Sequence, residues 1–439
     1  MSTPRGACPT LHEPMATGDG LLVRLSPAGT GWRPAEFSVL AEAAARFGNG
    51  ILEVTSRGNL QIRGLSPESA EGLASGIEAA AIPLRTGLAI DTGPLAGIDA
   101  DEIADPLPVA RALDEAVQAT GLTARLAPKT SIVIDGGGAL CMDDIIADIR
   151  LSADAERPGD WHVAVGGTVR TARPLGSVGF SEAVPSAITL LEAIAQKGRF
   201  ARGRDLTDDE IAKLGGFPPH RRRFAAPPLP PSRGERIDQT PRATPPVGRF
   251  ALKDASLAAA VALPFGQVDA ATLSAFCAGV RESGAAEIRL APGRGLIVPG
   301  LDAERCSLIE DKAAALGFIT DAADLRLAIA ACAGAPFCAS AHFATRDLGA
   351  EIAAQAPELL AGRTLHVSGC DKRCAEPPAP DLTILGAEGG FLVLSGDGRN
   401  APAAPVVAPD EALAALRRLA DTELGHDRPK AREKLPADS

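Results

Sequence analysis

Two cysteine pairs, Cys332-Ala-Gly-Ala-Pro-Phe-Cys338 and Gly369-Cys370-Asp-Lys-Arg-Cys374, decide how the rest of the chain is interpreted. Their spacing is C-x5-C followed by C-x3-C, on two separate segments. Four thiolates from two loops can hold a [4Fe–4S] cluster, because each corner iron takes one soft sulfur ligand. Glycine next to a cysteine lets the backbone approach a bulky cofactor. The pattern therefore predicts a [4Fe–4S] cluster whose iron ligands are Cys332, Cys338, Cys370 and Cys374.

Two other interpretations of these four cysteines stay open at this point. A tetrahedral zinc site usually has closer pairs, such as C-x2-C. Four buried thiols without any metal are the structural alternative. The uneven cysteine spacing in a chain of 439 residues argues against a secreted disulfide framework. The remaining cysteines are expected to be small buried apolar residues, namely Cys8, Cys141, Cys277 and Cys306.

The composition predicts a large globular protein without nucleic-acid or membrane partners. Hydrophobic residues make up 46 % and charged residues 23 % of the chain, as is usual for globular proteins. The chain has a formal charge of −11, so it lacks the excess of basic residues that is typical of a general nucleic-acid-binding protein. The N-terminus has no apolar signal core, and the uncharged stretch Leu327–Thr345 is interrupted by Gly334 and Pro336. We expect a cytoplasmic protein.

A strand–helix–strand pattern occurs twice in the sequence. The first copy comprises Leu21–Leu25, Phe37–Phe47, Ile51–Thr55 and Leu60–Leu65. The second comprises Ala260–Leu263, Ala270–Glu282, Glu287–Leu290 and Gly295–Val298. Residues Gly48–Leu65 align with Gly284–Leu301 without a gap, which favours duplicated ferredoxin-like halves over two unrelated α+β units.

A sheet-rich segment follows each copy. The first contains predicted helices at Leu107–Ala119 and Ala183–Gln196 and strands at Ser131–Asp135, Asp148–Leu151, Trp161–Val165 and Thr168–Thr171. The second contains predicted strands at Thr364–Val367, Leu382–Leu385 and Phe391–Leu394 and a helix at Pro409–Leu424. We predict an α+β fold with a pseudo-twofold repeat. Its ferredoxin-like halves are 18–75 and 248–320, its sheet-rich halves 76–217 and 321–425, and its proline-rich linker 218–247.

The segment order and cysteine spacing resemble the siroheme-dependent nitrite and sulfite reductases, over about residues 18–205 and 245–420. In that family the four cysteines bind a [4Fe–4S] cluster, and basic residues neutralise the carboxylates of a tetrapyrrole that lies between the halves. The matching stretches here are Thr55–Leu65 and Pro128–Ser131. The resemblance implies that the substrate-binding residues are Arg24, Arg57, Arg63, Lys129, Arg289 and Arg294.

This sequence departs from the reductase pattern in places that bear on anion reduction. Gly58 and Ser131 replace the family's glutamine and second lysine, and residues 89–102 contain no basic residue where the family has a further arginine. Groups that would stabilise bound nitrite or sulfite are therefore missing. Three segments instead resemble the precorrin-3B synthase family, the aerobic cobalamin-pathway branch of the same nitrite/sulfite reductase superfamily. They are Thr92–Asp99, Asp135–Gly138 and Leu263–Gly266.

This second resemblance implies a monooxygenase that converts precorrin-3A to precorrin-3B. Oxygen would hydroxylate C20, and a ring A acetate would close a γ-lactone. The cluster would supply electrons from an NADH-linked or ferredoxin-like donor. The family is also associated with a non-haem iron, for which His162, His342 and His366 are candidates by residue type alone. No catalytic residue is assigned.

Two other functions stay open on the sequence. A siroheme-dependent assimilatory sulfite or nitrite reductase would bind siroheme and tolerate the missing basic residues. A non-catalytic iron–sulfur electron carrier or tetrapyrrole-binding protein would bind the same groups without turning over oxygen.

Overall fold

The computed structural model describes residues 9–214, 245–377, 379–399 and 405–426. These residues form two compact units. The first contains Gly20–Ala322 and the residues before Thr17, and the second contains Thr17–Asp19 and the residues from Ala323 onward. Cys8 and the predicted linker up to residue 244 lie outside the described residues. Within the described ranges, no helix is long and apolar enough to cross a membrane.

The first unit contains helices α1–α7 and most or all of strands β1–β14. The helices are α1 (Pro34–Phe47), α2 (Pro67–Ala79), α3 (Leu107–Thr120), α4 (Phe180–Gln196), α5 (Asp208–Leu214), α6 (Ala270–Glu282) and α7 (Ala303–Ala315). The strands are β1 (Met15–Thr17), β2 (Gly20–Leu25), β3 (Ile51–Val54), β4 (Leu60–Leu65), β5 (Ala89–Thr92), β6 (Ser131–Asp135), β7 (Ala147–Ala153), β8 (Asp160–Gly167), β9 (Arg173–Gly179), β10 (Gly248–Ala251), β11 (Leu257–Ala262), β12 (Gln267–Asp269), β13 (Arg289–Ala291) and β14 (Gly295–Leu301).

The two ferredoxin-like halves repeat the same elements at a constant separation in sequence. Helix α7 begins and ends 236 residues after α2, and Leu296 in β14 lies the same distance after Leu60 in β4. Gly64 and Gly300, again 236 residues apart, both have a left-handed φ, +73° and +78°. The backbone thus confirms the predicted repeat.

Each half also contributes residues to the sheet of the other half. Strand β12 pairs with β3, so that Val268 lies opposite Leu52. At the repeat-related positions, Trp32 pairs with Ile288. One hydrophobic core results from this exchange, and it also buries Cys277 and Cys306, as predicted. Because the strand pairing of β12 with β3 and the bridge of Trp32 to Ile288 both cross between the halves, the two halves share one core.

The segment between the halves forms a sheet of order β5-β6-β7-β8-β9, covered by α3 and α4. Strands β5, β6 and β7 are parallel, and β8 and β9 continue antiparallel. The strand predicted at Thr168–Thr171 is wrong, because these residues form the turn between β8 and β9. The hydroxyl of Thr171 accepts a hydrogen bond from the Thr168 amide at 2.9 Å, and the preceding Gly166 and Gly167 have positive φ, which ends the strand.

The second unit repeats this sheet topology. Its strands are β15 (Ile329–Ala331), β16 (Leu365–Ser368), β17 (Leu382–Ala387), β18 (Gly390–Ser395) and β19 (Val406–Val407), and its helices are α8 (Thr345–Gln355), α9 (Pro357–Leu360) and α10 (Ala412–His426). Strands β15, β16 and β17 are parallel, and β18 and β19 continue antiparallel, as in the β5–β9 sheet. The described residues therefore confirm an α+β fold with two related sheet-rich segments.

Candidate functional site

The two cysteine pairs emerge from neighbouring parallel strands of the second unit. Cys332 directly follows β15, and Cys370 comes two residues after the end of β16. The carboxyl ends of parallel neighbours lie at one edge of a sheet, so both cysteine loops start at the same edge. Loops at such an edge commonly form binding sites in parallel α/β sheets.

Backbone hydrogen bonds hold the two cysteine loops against each other. The His342 amide donates to the Gly369 carbonyl at 2.8 Å, and the Gly369 amide donates to Cys332 Sγ at 3.2 Å. The Thr345 hydroxyl donates to the Cys332 carbonyl at 2.7 Å. An amide that donates to a cysteine sulfur stabilises its thiolate form, which is the form that binds metal.

Glycine is required where these loops pack closely. A Cβ on Gly369 would lie 2.6 Å from Ala341 Cβ, and a Cβ on Gly18 would overlap Cys338 Sγ. Gly334 has φ +67° and has no room for a side chain beside Thr345. Small residues therefore allow the cysteine loops to close at the sheet edge.

The four cysteines of the two loops differ in their exposure. Cys370 is buried, Cys332 and Cys338 are partly exposed, and Cys374 is exposed. Among the described residues, no group of three or more His, Cys, Asp or Glu is arranged to hold one metal ion. A cubic cluster takes one thiolate at each corner and does not need its ligands to converge on one atom. The ligand roles of the four cysteines stay a prediction.

The three histidines named as candidates lie in separate surroundings. The Nδ1 atom of His162 is 2.7 Å from Ser177 Oγ in the β5–β9 sheet. His366 is fully buried in β16, and His342 lies in the first cysteine loop. Within the described chain, none belongs to a group arranged for a metal, so no non-haem iron ligands are assigned.

A cavity of about 390 Å³ in the first unit is lined by charged side chains. Its charged lining includes Arg57 and Arg85, together with Arg111 and Asp114 of helix α3. Asp91, on the central part of β5, also lines it. Two ferredoxin-like segments and the β5–β9 sheet thus meet at one polar cavity.

Asp91 bridges two arginines of this cavity. Its Oδ2 is 2.9 Å from Arg57 Nη2, and its Oδ1 is 2.8 Å from Arg85 Nη1. Burial alone would raise the pKa of Asp91, but the charges and hydrogen bonds of Arg85 and Arg57 lower it below its usual value. The Nη1 group of Arg57 also donates to the Ile146 carbonyl at 2.6 Å. Asp91 is therefore ionised and fixes both guanidinium groups.

Arg85 and Asp91 are residues that the sequence analysis missed. The stretch of residues 89–102 does lack a basic residue. The structure brings Arg85, which lies just before it, onto Asp91. This ion pair depends on the path of the chain between Arg85 and strand β5. The spacing of the two residues in the sequence does not indicate it.

A second group of predicted basic residues lies on one face of the first sheet. Cross-strand pairing places Arg24, Gln61, Glu53 and Gln267 side by side across β2, β4, β3 and β12. Arg63 forms an ion pair with Glu53 at 3.1 Å. Burial lowers the pKa of Arg294, and the Glu53 carboxylate opposes that change, so Arg294 lies close to the same group. Arg63 thus pairs directly with the Glu53 carboxylate, and Arg24 lies two strands away from Glu53 on the same sheet.

The corresponding row in the second half is largely apolar. Register places Ala260, Ile297 and Arg289 side by side across β11, β14 and β13. Ala260 and Ile297 pack against Leu95 and Leu140, which cover this face. The two halves have therefore diverged, and the polar face belongs to the first sheet.

Arg289 and Lys129 lie apart from both groups. Arg289 is 5 % exposed, forms an ion pair with Glu287 at 2.6 Å and donates to the carbonyls of Pro94 and Ala96. These contacts are those of a residue that anchors a loop. Lys129 is exposed, and its carbonyl accepts a hydrogen bond from Arg202. Substrate contacts of these two residues stay predictions without support from their surroundings.

Two of the segments that resemble precorrin-3B synthases pack against each other. The Asp99 carboxylate accepts a hydrogen bond from the Ala139 amide at 2.8 Å, and Gly138 has no room for a Cβ beside Asp99. The Asp135 carboxylate accepts from the Met142 amide at 2.6 Å. These contacts shape the loop that places Met142 in the wall of the cavity.

The third such segment supports Arg294. Phe265 and Gly266 both have positive φ, +56° and +81°. A Cβ on Gly266 would lie 2.8 Å from Arg294 Cδ, so the turn leaves space for the arginine stem. The Leu263 amide donates to the Arg294 carbonyl at 3.0 Å.

The loop after β6 contains another charged cluster that sequence reasoning missed. Arg150 is 1 % exposed and donates to the carbonyls of Met142 and Ile145 at 2.9 Å and 2.6 Å. The neighbouring Cys141 was expected to be buried, but it is only partly buried because it lies in this loop. Its partial burial still raises the pKa of the thiol to about 11, so the thiol is protonated at neutral pH. Burial and the Asp135 charge raise the pKa of Asp143. Arg150 therefore fixes a loop whose last carbonyl binds Arg57.

Comparison with known proteins agrees with this architecture. Residues 13–80 match the family described as nitrite/sulfite reductase ferredoxin-like half domain. The structure of the Mycobacterium tuberculosis NirA protein matches with a TM-score of 0.67 at 19 % identity, covering 94 % of this chain and 82 % of that chain. This likeness shows a nitrite/sulfite reductase-like fold.

Sequence relatives are more specific. The chloroplastic ferredoxin–nitrite reductase of Zea mays is 24 % identical over 84 % of this chain and 69 % of its own length. The precorrin-3B synthase of Sinorhizobium sp is 44 % identical over 403 residues, which cover 91 % of this chain and 85 % of that protein. Identity at this level over nearly the full length shows that the chain belongs to the precorrin-3B synthase family.

Proposed function

We propose that this chain is an oxidoreductase of cobalamin biosynthesis that converts precorrin-3A to precorrin-3B with O2. The reaction is a C20 hydroxylation coupled to γ-lactone formation by the ring A acetate. The observation that carries this conclusion is the 44 % identity to a precorrin-3B synthase over 91 % of the chain. The weaker 24 % identity to a nitrite reductase agrees with a shared ancestor and a different reaction.

The arginines of the first unit would bind the substrate carboxylates. Precorrin-3A carries many carboxylates, and a guanidinium pairs with a carboxylate through two parallel hydrogen bonds. Arg57 and Arg85 would serve from the cavity, and Arg24, Arg63 and Arg294 from the polar face of the first sheet. A chain with a formal charge of −11 thus collects basic groups where an anionic substrate needs them.

The four cysteines of the second unit would hold a [4Fe–4S] cluster. When bound, such a cluster supplies electrons singly, here from an NADH-linked or ferredoxin-like donor. The Gly369 amide donates a hydrogen bond to the Cys332 sulfur, and the Thr345 hydroxyl fixes the backbone of the same cysteine. No step is assigned to a non-haem iron, because the described residues contain no matching donor set.

The first test is composition of the anaerobically purified protein. Its absorption spectrum, iron, acid-labile sulfide and extractable tetrapyrrole are measured on one sample. We expect broad cluster absorbance with iron and sulfide and without stoichiometric siroheme. Stoichiometric siroheme together with nitrite or sulfite reduction would overturn the proposal in favour of a siroheme reductase, the function that the likeness to nitrite reductases otherwise favours.

A further inference from the structure

The carboxylate of Asp91 occupies the position between two guanidinium groups where an external oxyanion would bind. Each of its oxygens accepts from a different arginine, at 2.9 Å from Arg57 and 2.8 Å from Arg85. Its side chain is only 11 % exposed, whereas the two arginine side chains are 30 % and 27 % exposed. The Asp91 carboxylate is therefore enclosed, whereas the guanidinium groups of Arg57 and Arg85 remain accessible from the cavity.

A built-in carboxylate competes effectively with small ions. It is tethered beside its partners, so its effective concentration exceeds that of any dissolved anion at ordinary levels. Nitrite and sulfite offer the same kind of oxygen acceptors as a carboxylate, and they would have to displace Asp91 to gain both arginines. A guanidinium has further N–H donors, so a large substrate with several carboxylates can still bind from the open side.

We propose that Asp91 is a specificity-determining counter-anion, which denies the Arg57–Arg85 pair to small inorganic oxyanions while holding both arginines for carboxylates of a tetrapyrrole substrate. This inference rests on the proposed function for the identity of the substrate. It also gives a physical reason why a nitrite/sulfite reductase-like fold with Arg57 in place would not bind nitrite at this arginine. Asp91 is a positioning residue, since it acts through the arginines.

The test is direct binding of nitrite and of sulfite to full-length protein by isothermal titration calorimetry. We expect Asp91→Asn to bind either anion at least about tenfold more tightly than the wild type, because two guanidinium groups lose their counter-anion. Asp91→Glu keeps a carboxylate and should show no gain. An Asp91→Asn protein that folds and binds nitrite no better than the wild type would overturn the proposal.

Asp114→Asn is the matched control. Asp114 lines the same cavity, but its carboxylate accepts a hydrogen bond from Gln118. Its replacement removes the same charge from the cavity wall and should leave anion binding unchanged. A gain equal to that of Asp91→Asn would show that general cavity charge, and not the bridge, sets selectivity, and would overturn the proposal. The double variant Asp91→Asn/Arg85→Ala should lose the tighter anion binding of Asp91→Asn, because one of the two guanidinium groups is missing. If the double variant still bound the anion more tightly than the wild type, the anion would not bind at the assigned site.

The design remains decisive if Asp91→Asn fails to fold. Asp91→Ser keeps a small polar side chain and should show the same gain, whereas a folded Ser variant without it would contradict the proposal. The proposal can also be tested without any Asp91 variant. It would be contradicted if the wild type bound nitrite tightly and Arg57→Ala lost that binding. Because the readout is anion binding, it is separate from precorrin-3A turnover. If Asp91→Asn bound nitrite or sulfite more tightly but the wild type did not convert precorrin-3A, the anion-exclusion role of Asp91 would stand and the proposed function would be overturned.

Discussion

At the scale of single residues, the charge balance of the cavity depends on Asp91. One carboxylate compensates two arginines, and Arg150 adds a further buried cation nearby. Burial lowers the pKa of Arg150, the Asp135 and Asp143 charges oppose this change, and the positive charge of Arg57 lowers it further, so Arg57 and Arg150 repel each other. An anionic ligand relieves that repulsion, and this favours substrate carboxylates over neutral molecules.

Replacing Arg57 with alanine should weaken tetrapyrrole binding and leave the cluster intact. The change removes a charge-assisted contact worth about 1.5–3 kcal/mol, which corresponds to roughly tenfold or more in Kd. Titration of precorrin-3A against anaerobic protein measures the binding, and the visible spectrum monitors the cluster. Arg305→Ala removes an exposed arginine paired with Asp302 and serves as control. Normal precorrin-3A binding by Arg57→Ala would show that the pocket is assigned wrongly.

Replacing Cys370 with serine should abolish cluster absorbance and activity together. Serine oxygen is a hard ligand and a poor substitute for thiolate on iron. Iron and sulfide assays with the visible spectrum measure the loss. Cys306→Ala, a buried thiol in the shared core, should keep the full cluster content and controls for thiol removal in general. A Cys370→Ser protein with unchanged iron and sulfide would remove Cys370 from the ligand set.

Asp91 also predicts how stability depends on pH. Its folded-state pKa lies below the unfolded value of about 3.9, so the stabilisation from its ionised form is present above that pH. It is lost as the pH falls through the folded-state pKa. We expect the difference in unfolding free energy between wild type and Asp91→Asn to shrink below about pH 4. Urea unfolding from about pH 7 to pH 3 measures it, and a difference that grows on acidification would refute the assignment.

At the scale of elements, the repeat-related hairpins have kept their backbone and changed their environment. Gly64 and Gly300 share a left-handed conformation. A Cβ on Gly64 would lie 2.5 Å from Asn49 Cβ and 2.8 Å from the Asn49 amide nitrogen, whereas no described atom lies within 4 Å of one on Gly300. Alanine substitutions at Gly64 and Gly300 therefore distinguish the cost of backbone strain from the cost of steric overlap.

Gly300→Ala should cost only the strain of a left-handed residue, about 1–2 kcal/mol of unfolding free energy. Gly64→Ala should cost more, because the Asn49 backbone must also move. Urea unfolding of both variants, with the m-value checked for two-state behaviour, gives the comparison. Equal costs at the two positions would contradict the packing described around Gly64.

Hydrophobic periodicity predicted β4, β6 and α6 at their observed bounds. It missed α2, in which alanine and glycine weaken the apolar pattern, and α7, in which charged residues and alanine do so. The spacing of the cysteines was enough to identify both pairs in the sequence. That both pairs lie at the same edge of a sheet depends on the parallel pairing of β15 with β16, which no local sequence pattern reveals. The Asp91 bridge could not be predicted, because its partners converge only through tertiary structure.

At the scale of the whole molecule, the duplicated segments have come to differ in the residues that they present. The first sheet keeps a polar face with Arg24 and Arg63, while the matching face of the second half is filled by Leu95 and Leu140. The β5–β9 sheet contributes Asp91, and the related β15–β19 sheet carries the cysteine loops. Under the proposed function, related scaffolds would present substrate-binding groups in one unit and cluster ligands in the other.

Reciprocal strand exchange predicts that a ferredoxin-like half does not fold alone. Residues 248–320 would lose the pairing of β12 with β3 and of Ile288 with Trp32, together with half of the shared core. We expect this fragment to lack a cooperative thermal transition by circular dichroism, whereas the full chain shows one. A fragment that unfolds cooperatively would contradict the single shared core.

The most direct test of the proposed function is turnover of precorrin-3A by the cluster-loaded protein under isotopically labelled O2, with a reducing donor present. We expect a product one oxygen atom heavier that contains a γ-lactone and carries the label in the new hydroxyl group. We expect no product without oxygen. A protein that leaves precorrin-3A unchanged under these conditions, and instead reduces nitrite or sulfite, would contradict it.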